Sequence, residues 1–323
     1  MRGFLMFVSR AAVSLGLLYL VLRGIDFAAI QSRLSRINLV WITTAVTVAI
    51  IQIVLGTLRW REVSNICRAR LSHLEALRYN MVGSFFNQIL PSSIGGDAVR
   101  LWLVHCGGAG WRAATYSIVT DRAVGLIALV LIIVASLPWS YATIGDAKGR
   151  LALVSIGFVA LSGAIGFLLF GHLRLAWLKS WWPNRHVHAC SVIANQVIFS
   201  KRSGPTVAML SLTIHILAVV IAWCCVRAID APVELKDVFI LIPPIMLTTI
   251  IPISIAGWGA REAMMMVAFH GAGLAQTDGA VVSILFGAVY LIVGALGGLV
   301  WIFSAEKQVG ISKWFESREI DRP

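Results

Sequence analysis

PSSIGGDAVR at residues 91–100 and PISIAGWGAR at residues 252–261 are two copies of one phrase, separated by 161 residues in a chain of 323. Both copies lie in long apolar stretches, where Pro and Gly interrupt a helix and an Arg is costly. Paired interruptions in the two halves of a membrane protein point to a translocation site. The repeated phrase therefore favours a transporter.

The composition places the chain in a bilayer. Hydrophobic residues make up 59% of it and charged residues 13%, with a mean hydropathy of +0.85, whereas soluble domains average about 45–50% apolar and about 25% charged residues. The formal charge of +12 is spread between apolar spans, so it indicates orientation in a membrane and not nucleic-acid binding. The five irregularly spaced cysteines form no disulfide framework.

Six apolar stretches are long enough to cross the hydrocarbon core, which takes about 20 residues. They are residues 4–22, 38–58, 116–137, 151–171, 205–226 and 280–303. Tryptophans at span ends, Trp60 among them, are typical of interfacial anchors. Two further apolar regions, 77–104 and 237–271, contain the phrase, and each is predicted to be a re-entrant pair of half-helices.

The distribution of Lys and Arg orients these spans. With the N-terminus inside, internal segments hold 15 basic residues, Arg59 among them, and external segments hold 7, which predicts both termini in the cytoplasm of a bacterial-type inner membrane. Three full spans separate the broken regions, so the two enter from opposite faces. We predict an all-α polytopic membrane protein with one domain over residues 1–323, containing an inverted repeat of residues 38–137 and 205–303.

The repeat loops carry the main binding candidates. The N-terminus of each returning half-helix has a partial positive charge, and Arg100 and Arg261 in the first turns add a full one. Together these groups predict a site for a phosphate or carboxylate. Alternatively, each Arg pairs internally, with Asp97 or Glu262, and only holds the loop. The residues predicted to shape the two loops are Pro91, Ser93, Gly95, Gly96, Pro252, Ser254, Gly257 and Gly259.

Other polar residues near the loops have two interpretations each. For Asp97 and Glu262, ion pairing is favoured over proton coupling, because an adjacent Arg stabilises the charged carboxylate. Asp121 and Arg122 either tie the third span to the first loop or extend the polar path towards the cytoplasm. Asn87 hydrogen-bonds the loop or a ligand, and loop support is favoured.

Signatures of catalysis and metal binding are weak in this sequence. It contains no G-x-S-x-G, H-E-x-x-H or Walker A motif. His186, His188 and Cys190 offer zinc-type donors without a fourth ligand at a diagnostic spacing. His215 and His270 are interpreted as helix contacts. We therefore predict no catalytic residue, no metal and no cofactor.

Three phrases carry a family resemblance: NQILPSSIGGDAVRLWLV (87–104), SIVTDRAVGLIAL (117–129) and IPISIAGWGAREAMMM (251–266). They resemble the transmembrane domain of lysylphosphatidylglycerol synthases, the flippase-like part of the multiple peptide resistance factor, over about residues 10–305. The resemblance implies a domain that moves aminoacylated phospholipid from the inner to the outer leaflet. Stand-alone members are associated with polyprenyl-linked or other glycolipids and with hopanoid pathways.

The resemblance also implies roles for particular residues. It places the family's loop arginines on Arg100 and Arg261, and its acidic motif residues on Asp97, Asp121 and Glu262. Fused relatives carry a soluble aminoacyltransferase domain after the membrane part. The sequence reaches Pro323 without one, so we do not expect synthesis of lysylphosphatidylglycerol.

Taken together, these features predict a lipid translocase of the inner membrane. Its substrate would be an anionic or phosphate-bearing lipid, such as an aminoacyl-phospholipid, a glycolipid or a polyprenyl-linked lipid. Two alternatives stay open: an integral-membrane transferase acting on a lipid phosphate, and a non-transporting scaffold subunit of a lipid-synthesis complex. The expected partner is a membrane lipid and not nucleic acid, and lipid-synthesis enzymes or a second copy of the chain are further candidates.

Overall fold

The computed structural model describes residues 33, 35, 37–90, 95–173, 181–249 and 258–304. Within these ranges the chain is helical and has no strand, which confirms the all-α prediction. The helices are α1 (Leu39–Ile66), α2 (His73–Ile89), α3 (Gly95–Val104), α4 (Gly110–Thr143), α5 (Ala147–Phe170), α6 (Trp182–Ile198), α7 (Gly204–Ala228), α8 (Leu235–Thr248), α9 (Ala260–Gly271) and α10 (Gln276–Phe303). A short π-helical segment, His105–Ala109, joins α3 to α4.

Five helical stretches in this part of the chain are long and apolar enough to cross a membrane. They correspond to α1, α4 taken together with α3, α5, α7 and α10. These are the helices predicted at 38–58, 116–137, 151–171, 205–226 and 280–303, and they mark the chain as an integral membrane protein. The span predicted at residues 4–22 lies outside the described residues.

Each of the two broken apolar regions contains a pair of short helices. By a rise of about 1.5 Å per residue, α2 is about 25 Å long, α3 about 15 Å, α8 about 21 Å and α9 about 18 Å, so none of them alone crosses a core of about 30 Å. The connecting loops, with Pro91, Ser93, Pro252, Ser254 and Gly257, lie outside the described residues. That these pairs are re-entrant in a bilayer stays a prediction.

Glycine allows the first pair of short helices to meet. A Cβ on Gly96 would lie 1.9 Å from the carbonyl oxygen of Gly83, so α3 can lie against α2 only without that side chain. At the end of α3 the chain reverses through Gly108 and Gly110, whose φ angles of 97° and 75° favour glycine. As a result α4 runs back along α3, and polar residues near the start of α3 lie beside residues about a third of the way along α4.

The order of a span, two short helices and a span occurs twice, in α1–α4 and in α7–α10. The first helices of the two halves pack antiparallel, since Asn38 N donates to Ala228 O at 2.9 Å and Gln52 Nε2 donates to Ile214 O at 2.7 Å. In addition, α2 packs against α10 and α4 packs against α8. Each half therefore places its last span against the first short helix of the other half.

The end of α1 differs from the sequence prediction. The apolar stretch at 38–58 stops before Arg59, but α1 continues to Ile66, because α2, α4 and α7 cover its polar residues. Trp60 is fully buried and Arg59 is buried with it. Arg59 was counted in the internal segment after the span and Trp60 among its interfacial anchors, whereas both lie within α1 and are covered by protein.

Candidate functional site

Five charged side chains meet where α1, α3 and α4 pack together. We call them the first charge cluster: Arg59, Asp97, Arg100, Asp121 and Arg122. They come from three helices, and the reversal after α3 brings residues 97 and 100 beside residues 121 and 122. The cluster contains three guanidinium groups and two carboxylates, so its formal charge is one positive unit.

Asp121 is held by Arg59 through two parallel hydrogen bonds. Arg59 Nε donates to Asp121 Oδ1 at 2.9 Å, and Arg59 Nη2 donates to Asp121 Oδ2 at 3.2 Å. Arg59 Nη1 also lies 3.5 Å from the hydroxyl of Ser211 on α7. This fork geometry is the strong form of a guanidinium–carboxylate contact, and it joins α1 to α4 beside α7.

Asp97 binds the other two arginines. Arg122 donates from Nε to Asp97 Oδ2 at 2.7 Å and from Nη2 to Oδ1 at 2.8 Å. Arg100 Nη1 donates to the same Oδ1 at 3.1 Å. Because Asp97 lies in the first turn of α3, the helix dipole also favours its negative charge. The internal Arg100–Asp97 pair considered from the sequence is thus present, extended by Arg122.

Arg100 is the most enclosed cation of this cluster. Its guanidinium carbon lies 4.0 Å from the centre of the Trp60 ring, a cation–π contact. Its Nη2 is 4.0 Å from Asp121 Oδ2, and its Nε has no hydrogen-bond partner among the described residues. The guanidinium of Arg100 is therefore held by ring and charge contacts, and its Nε is buried without a partner in the described part of the chain.

A cavity of about 230 Å³ opens beside the first charge cluster. Residues of α1, α2, α3 and α4 line one part of it, and residues of α7 and α10 close the other part. Its charged lining residues are Arg59, Arg100, Asp121 and Arg122, and its uncharged polar ones are Gln52, Asn80, Ser84, Asn87, Gln88 and Tyr290. The cavity thus lies between the two halves of the chain.

Arg122 is the charged residue most open to this cavity. Half of its side chain is exposed, although the residue lies twelve positions inside α4, about 18 Å along that helix. An arginine inside an apolar helix normally faces a partner or a water-filled space. Here it does both, since one edge of the guanidinium binds Asp97 and the other is exposed.

Asn87 supports the loop, as the sequence favoured. Its Oδ1 accepts a hydrogen bond from Gly96 N at 2.8 Å and so satisfies one amide at the start of α3. On the opposite wall, Tyr290 donates its hydroxyl to Gln52 Oε1 at 2.7 Å. This bond connects α10 to α1 across the boundary between the halves.

The second repeat loop leads to a different arrangement, the second charge cluster of Arg261, Glu262 and Ser283. Arg261 Nη2 donates to Glu262 Oε1 at 2.8 Å, and Arg261 Nε donates to Ser283 Oγ at 2.9 Å. The Ser283 hydroxyl donates to Glu262 Oε1 at 2.9 Å, while Gly259 N donates to Oε2 at 2.5 Å. Glu262 is fully buried.

The two clusters do not share the larger cavity. Arg261 borders a separate space of about 70 Å³ with Thr249 and apolar side chains of α8, α9 and α10. Thus the structure brings together Asn87, Asp97, Arg100, Asp121 and Arg122, and it places Arg261 with Glu262 elsewhere. The internal Arg261–Glu262 pair considered from the sequence is present.

The described histidines are not members of the two charge clusters, although His215 lies near Arg59 through Gly125. His215 Nε2 is 2.8 Å from Gly125 O, as expected of a helix contact, whereas His270 is exposed near the end of α9. His186 Nδ1 is 2.7 Å from the Tyr116 hydroxyl, and His188 Nε2 is 3.0 Å from Leu173 O. In the described part of the chain, no three His, Cys, Asp or Glu side chains form a metal-binding group.

Sequence reasoning missed Arg59 and the uncharged polar lining of the cavity. A signal was present in the spacing, because Gln52, Gly56 and Arg59 follow one another at four and three residues and so share one face of α1. Asn80 and Asn87, seven residues apart, do the same on α2. Polar residues at helical spacing inside apolar helices would have located this cavity.

Comparison with known proteins gives one match. No curated protein and no solved structure matches the chain. A family model described as the lysylphosphatidylglycerol synthase TM region matches residues 7–298. Since this match covers most of the sequence, the chain belongs to the lysylphosphatidylglycerol synthase TM region family.

Proposed function

We propose that this protein is a translocase that moves an anionic or phosphate-bearing lipid between the leaflets of a bacterial-type inner membrane. The family places it among membrane proteins of lipid modification or translocation. The observation that carries the finer proposal is the cavity of about 230 Å³ between the halves, with the half-exposed guanidinium of Arg122 in its wall.

The lining suits a lipid phosphate. Guanidinium groups bind phosphate oxygens through paired donors, and half-exposed Arg122 lines the cavity while Asp97 holds its Nε and Nη2. Arg100 adds a second positive charge to the lining. A headgroup in the cavity would meet these donors while its apolar chains stay in the bilayer.

The packing of the halves supports alternating access. The antiparallel packing of α1 and α7, and the contacts of α2 and α8 with the last span of the other half, support two units related by inversion. In such transporters the site lies at the repeat interface, and rocking of one repeat exposes it to each side in turn. We assign these units to residues 38–137 and 205–303, with both termini in the cytoplasm.

We assign the carboxylates of the first charge cluster a role in binding and moving the lipid, and not in group transfer. A carboxylic acid that protonates a leaving group needs a raised pKa and access to substrate. Asp97 and Asp121 instead accept hydrogen bonds from guanidinium groups at both oxygens, so neither carboxylate has an oxygen free to approach a substrate. We therefore propose that the protein is not an enzyme.

A leaflet assay on purified protein in vesicles tests this function. The vesicles contain phosphatidylglycerol labelled with a fluorophore on an acyl chain, and a membrane-impermeant reductant then bleaches the label of the outer leaflet. We expect bleaching to extend to the inner-leaflet label in wild-type vesicles. Arg122→Gln should slow it about tenfold or more, because loss of a charged hydrogen bond of about 1.5–3 kcal/mol changes a rate by that factor.

Arg112→Gln is the matched control, since Arg112 lies exposed on the same helix ten residues earlier and does not line the cavity. It should retain the wild-type rate. Equal slowing by both substitutions would assign the effect to surface charge. If no lipid moves and new lipid product forms from a donor and an acceptor, the transferase alternative replaces translocation. If neither occurs and an enzyme of lipid synthesis co-purifies, the scaffold alternative does.

A further inference from the structure

The charges of the larger cavity are unbalanced. Among the described residues that line it, Arg59, Arg100 and Arg122 are cationic, and Asp121 is the only carboxylate. Even when Asp97 behind the wall is included, the first charge cluster keeps one positive unit. A headgroup entering this space therefore meets an excess of fixed positive charge.

Every carboxylate oxygen of Asp97 and Asp121 accepts a hydrogen bond from an arginine. Both oxygens of Asp121 accept from Arg59, and both oxygens of Asp97 accept from Arg122. An ammonium group on a lipid would have to displace a guanidinium from a two-bond contact before it could pair. Breaking such a buried contact exposes an uncompensated charge, so an incoming ammonium gains little.

The remaining polar lining is uncharged. The residues with amide or hydroxyl groups that line this space are Gln52, Asn80, Asn87, Gln88, Ser84 and Tyr290. Gln52 and Tyr290 are bonded to each other within the wall. Side-chain amides both donate and accept hydrogen bonds, as alcohol groups do. This combination of guanidinium and amide groups matches a phosphate that carries a polyol.

We infer that the cavity selects lipids whose headgroup joins a phosphate to uncharged hydroxyl-bearing carbons, and that it discriminates against headgroups carrying an ammonium group. This inference rests on the proposed function and names its substrate class. By this inference, phosphatidylglycerol-like and sugar-phosphate lipids fit the cavity. Aminoacyl-phospholipids and phosphatidylethanolamine do not.

Three lipids of graded chemistry test the assignment in the full-length protein. Phosphatidylglycerol has the phosphate and the polyol, lysylphosphatidylglycerol adds a lysyl group with two ammonium groups, and its doubly acetylated form keeps the added size without the charge. We measure both movement in vesicles and bound lipid by native mass spectrometry from mixtures. The rate of movement and the bound amount should be about tenfold or more higher for phosphatidylglycerol and the acetylated lipid than for lysylphosphatidylglycerol, since like charges at close range repel.

A carboxylate placed in the cavity should relax this preference. Gln88→Glu is nearly isosteric and adds a negative charge to the lining, so the ratio of phosphatidylglycerol to lysylphosphatidylglycerol should fall about threefold or more. Gln196→Glu makes the same chemical change on the exposed face of α6, away from the cavity, and should leave the ratio unchanged.

The outcomes separate the inference from the proposed function. If no lipid moves but bound phosphatidylglycerol still exceeds lysylphosphatidylglycerol and Gln88→Glu narrows the difference, translocation is overturned and the headgroup assignment stands. If lysylphosphatidylglycerol moves or binds as well as phosphatidylglycerol, the headgroup assignment is wrong and translocation stands. If the acetylated lipid behaves like lysylphosphatidylglycerol, size and not charge decides, and the assignment by charge is also wrong.

Discussion

The two charge clusters begin with the same sequence phrase and end as different structures. Arg100 and Arg261 are 161 residues apart, and Ser283 follows Arg122 at the same separation. In the first cluster the acidic residue binds two arginines from different helices. In the second cluster, Glu262 forms its ion pair among the described residues with its neighbour Arg261, and Ser283 supplies a hydroxyl in place of a second guanidinium.

This difference sets the charge and the openness of each cluster. The first keeps one positive unit and borders a cavity of about 230 Å³, whereas the second is neutral and borders a space of about 70 Å³. The sequence thus contains the phrase and its arginine twice, but the partners on the adjacent helices give the two arginines different surroundings. We interpret the first cluster as the binding element and the second as a closed structural element.

The largest loss of folding stability should come from breaking the contact between Arg59 and Asp121, which anchors the first charge cluster. Arg59→Met leaves Asp121 buried with Arg100 at 4.0 Å as its nearest cation. Removing one partner of a buried ion pair typically costs about 3–5 kcal/mol, and we expect a loss of that size. Equilibrium unfolding by SDS in mixed micelles measures it.

Two further variants sharpen this result. In Arg59→Met with Asp121→Leu the unpaired carboxylate is gone, so most of the stability should return. Arg61→Met removes a partly exposed arginine of the same helix, whose Nε donates to Leu71 O, and should cost about 1 kcal/mol. A double variant as unstable as Arg59→Met would show that the charge of Asp121 is not the cause.

The second prediction compares the acidic residues of the two clusters. Glu262→Gln leaves Arg261 buried without a counter-charge and should cost about 3 kcal/mol. Asp97→Asn should cost less, about 1–2 kcal/mol, because Arg100 keeps Asp121 nearby and half-exposed Arg122 can turn to water. The same SDS titration measures both, and equal losses would contradict the distinction between a closed and an open cluster.

Much of this arrangement could be predicted from sequence, because it depends on local composition. Hydropathy located five of the spans, and Pro and Gly located the breaks between short helices. The pairs Arg100–Asp97 and Arg261–Glu262 also followed, since each joins residues within one helical turn. Such features are encoded by neighbours along the chain.

The contacts between distant elements could not be predicted in the same way. Arg59 and Asp121 are 62 residues apart, and their pairing depends on the reversal after α3 and on the packing of α1 against α4. Trp60 was assigned to the interface because hydropathy falls after residue 58, although α2, α3 and α4 cover it and Arg100 lies over its ring. A hydropathy average cannot show whether protein or water covers a polar helix end.

The smallest predicted loss of folding stability concerns the residues that precede a helix in each of the two halves. Ser72 caps α2 in a reciprocal pair with Glu75, whereas Ser203 precedes α7 without a side-chain cap bond. Ser72→Ala should therefore cost about 1 kcal/mol near neutral pH, and Ser203→Ala should cost almost nothing. The hydrogen bonds from Ser72 hold the pKa of Glu75 below its ordinary value, so this stabilisation is present above that value and is lost as the pH falls through the lowered pKa. The penalty of Ser72→Ala should accordingly shrink in acid, and a penalty independent of pH would show that the Glu75 carboxylate takes no part in the cap.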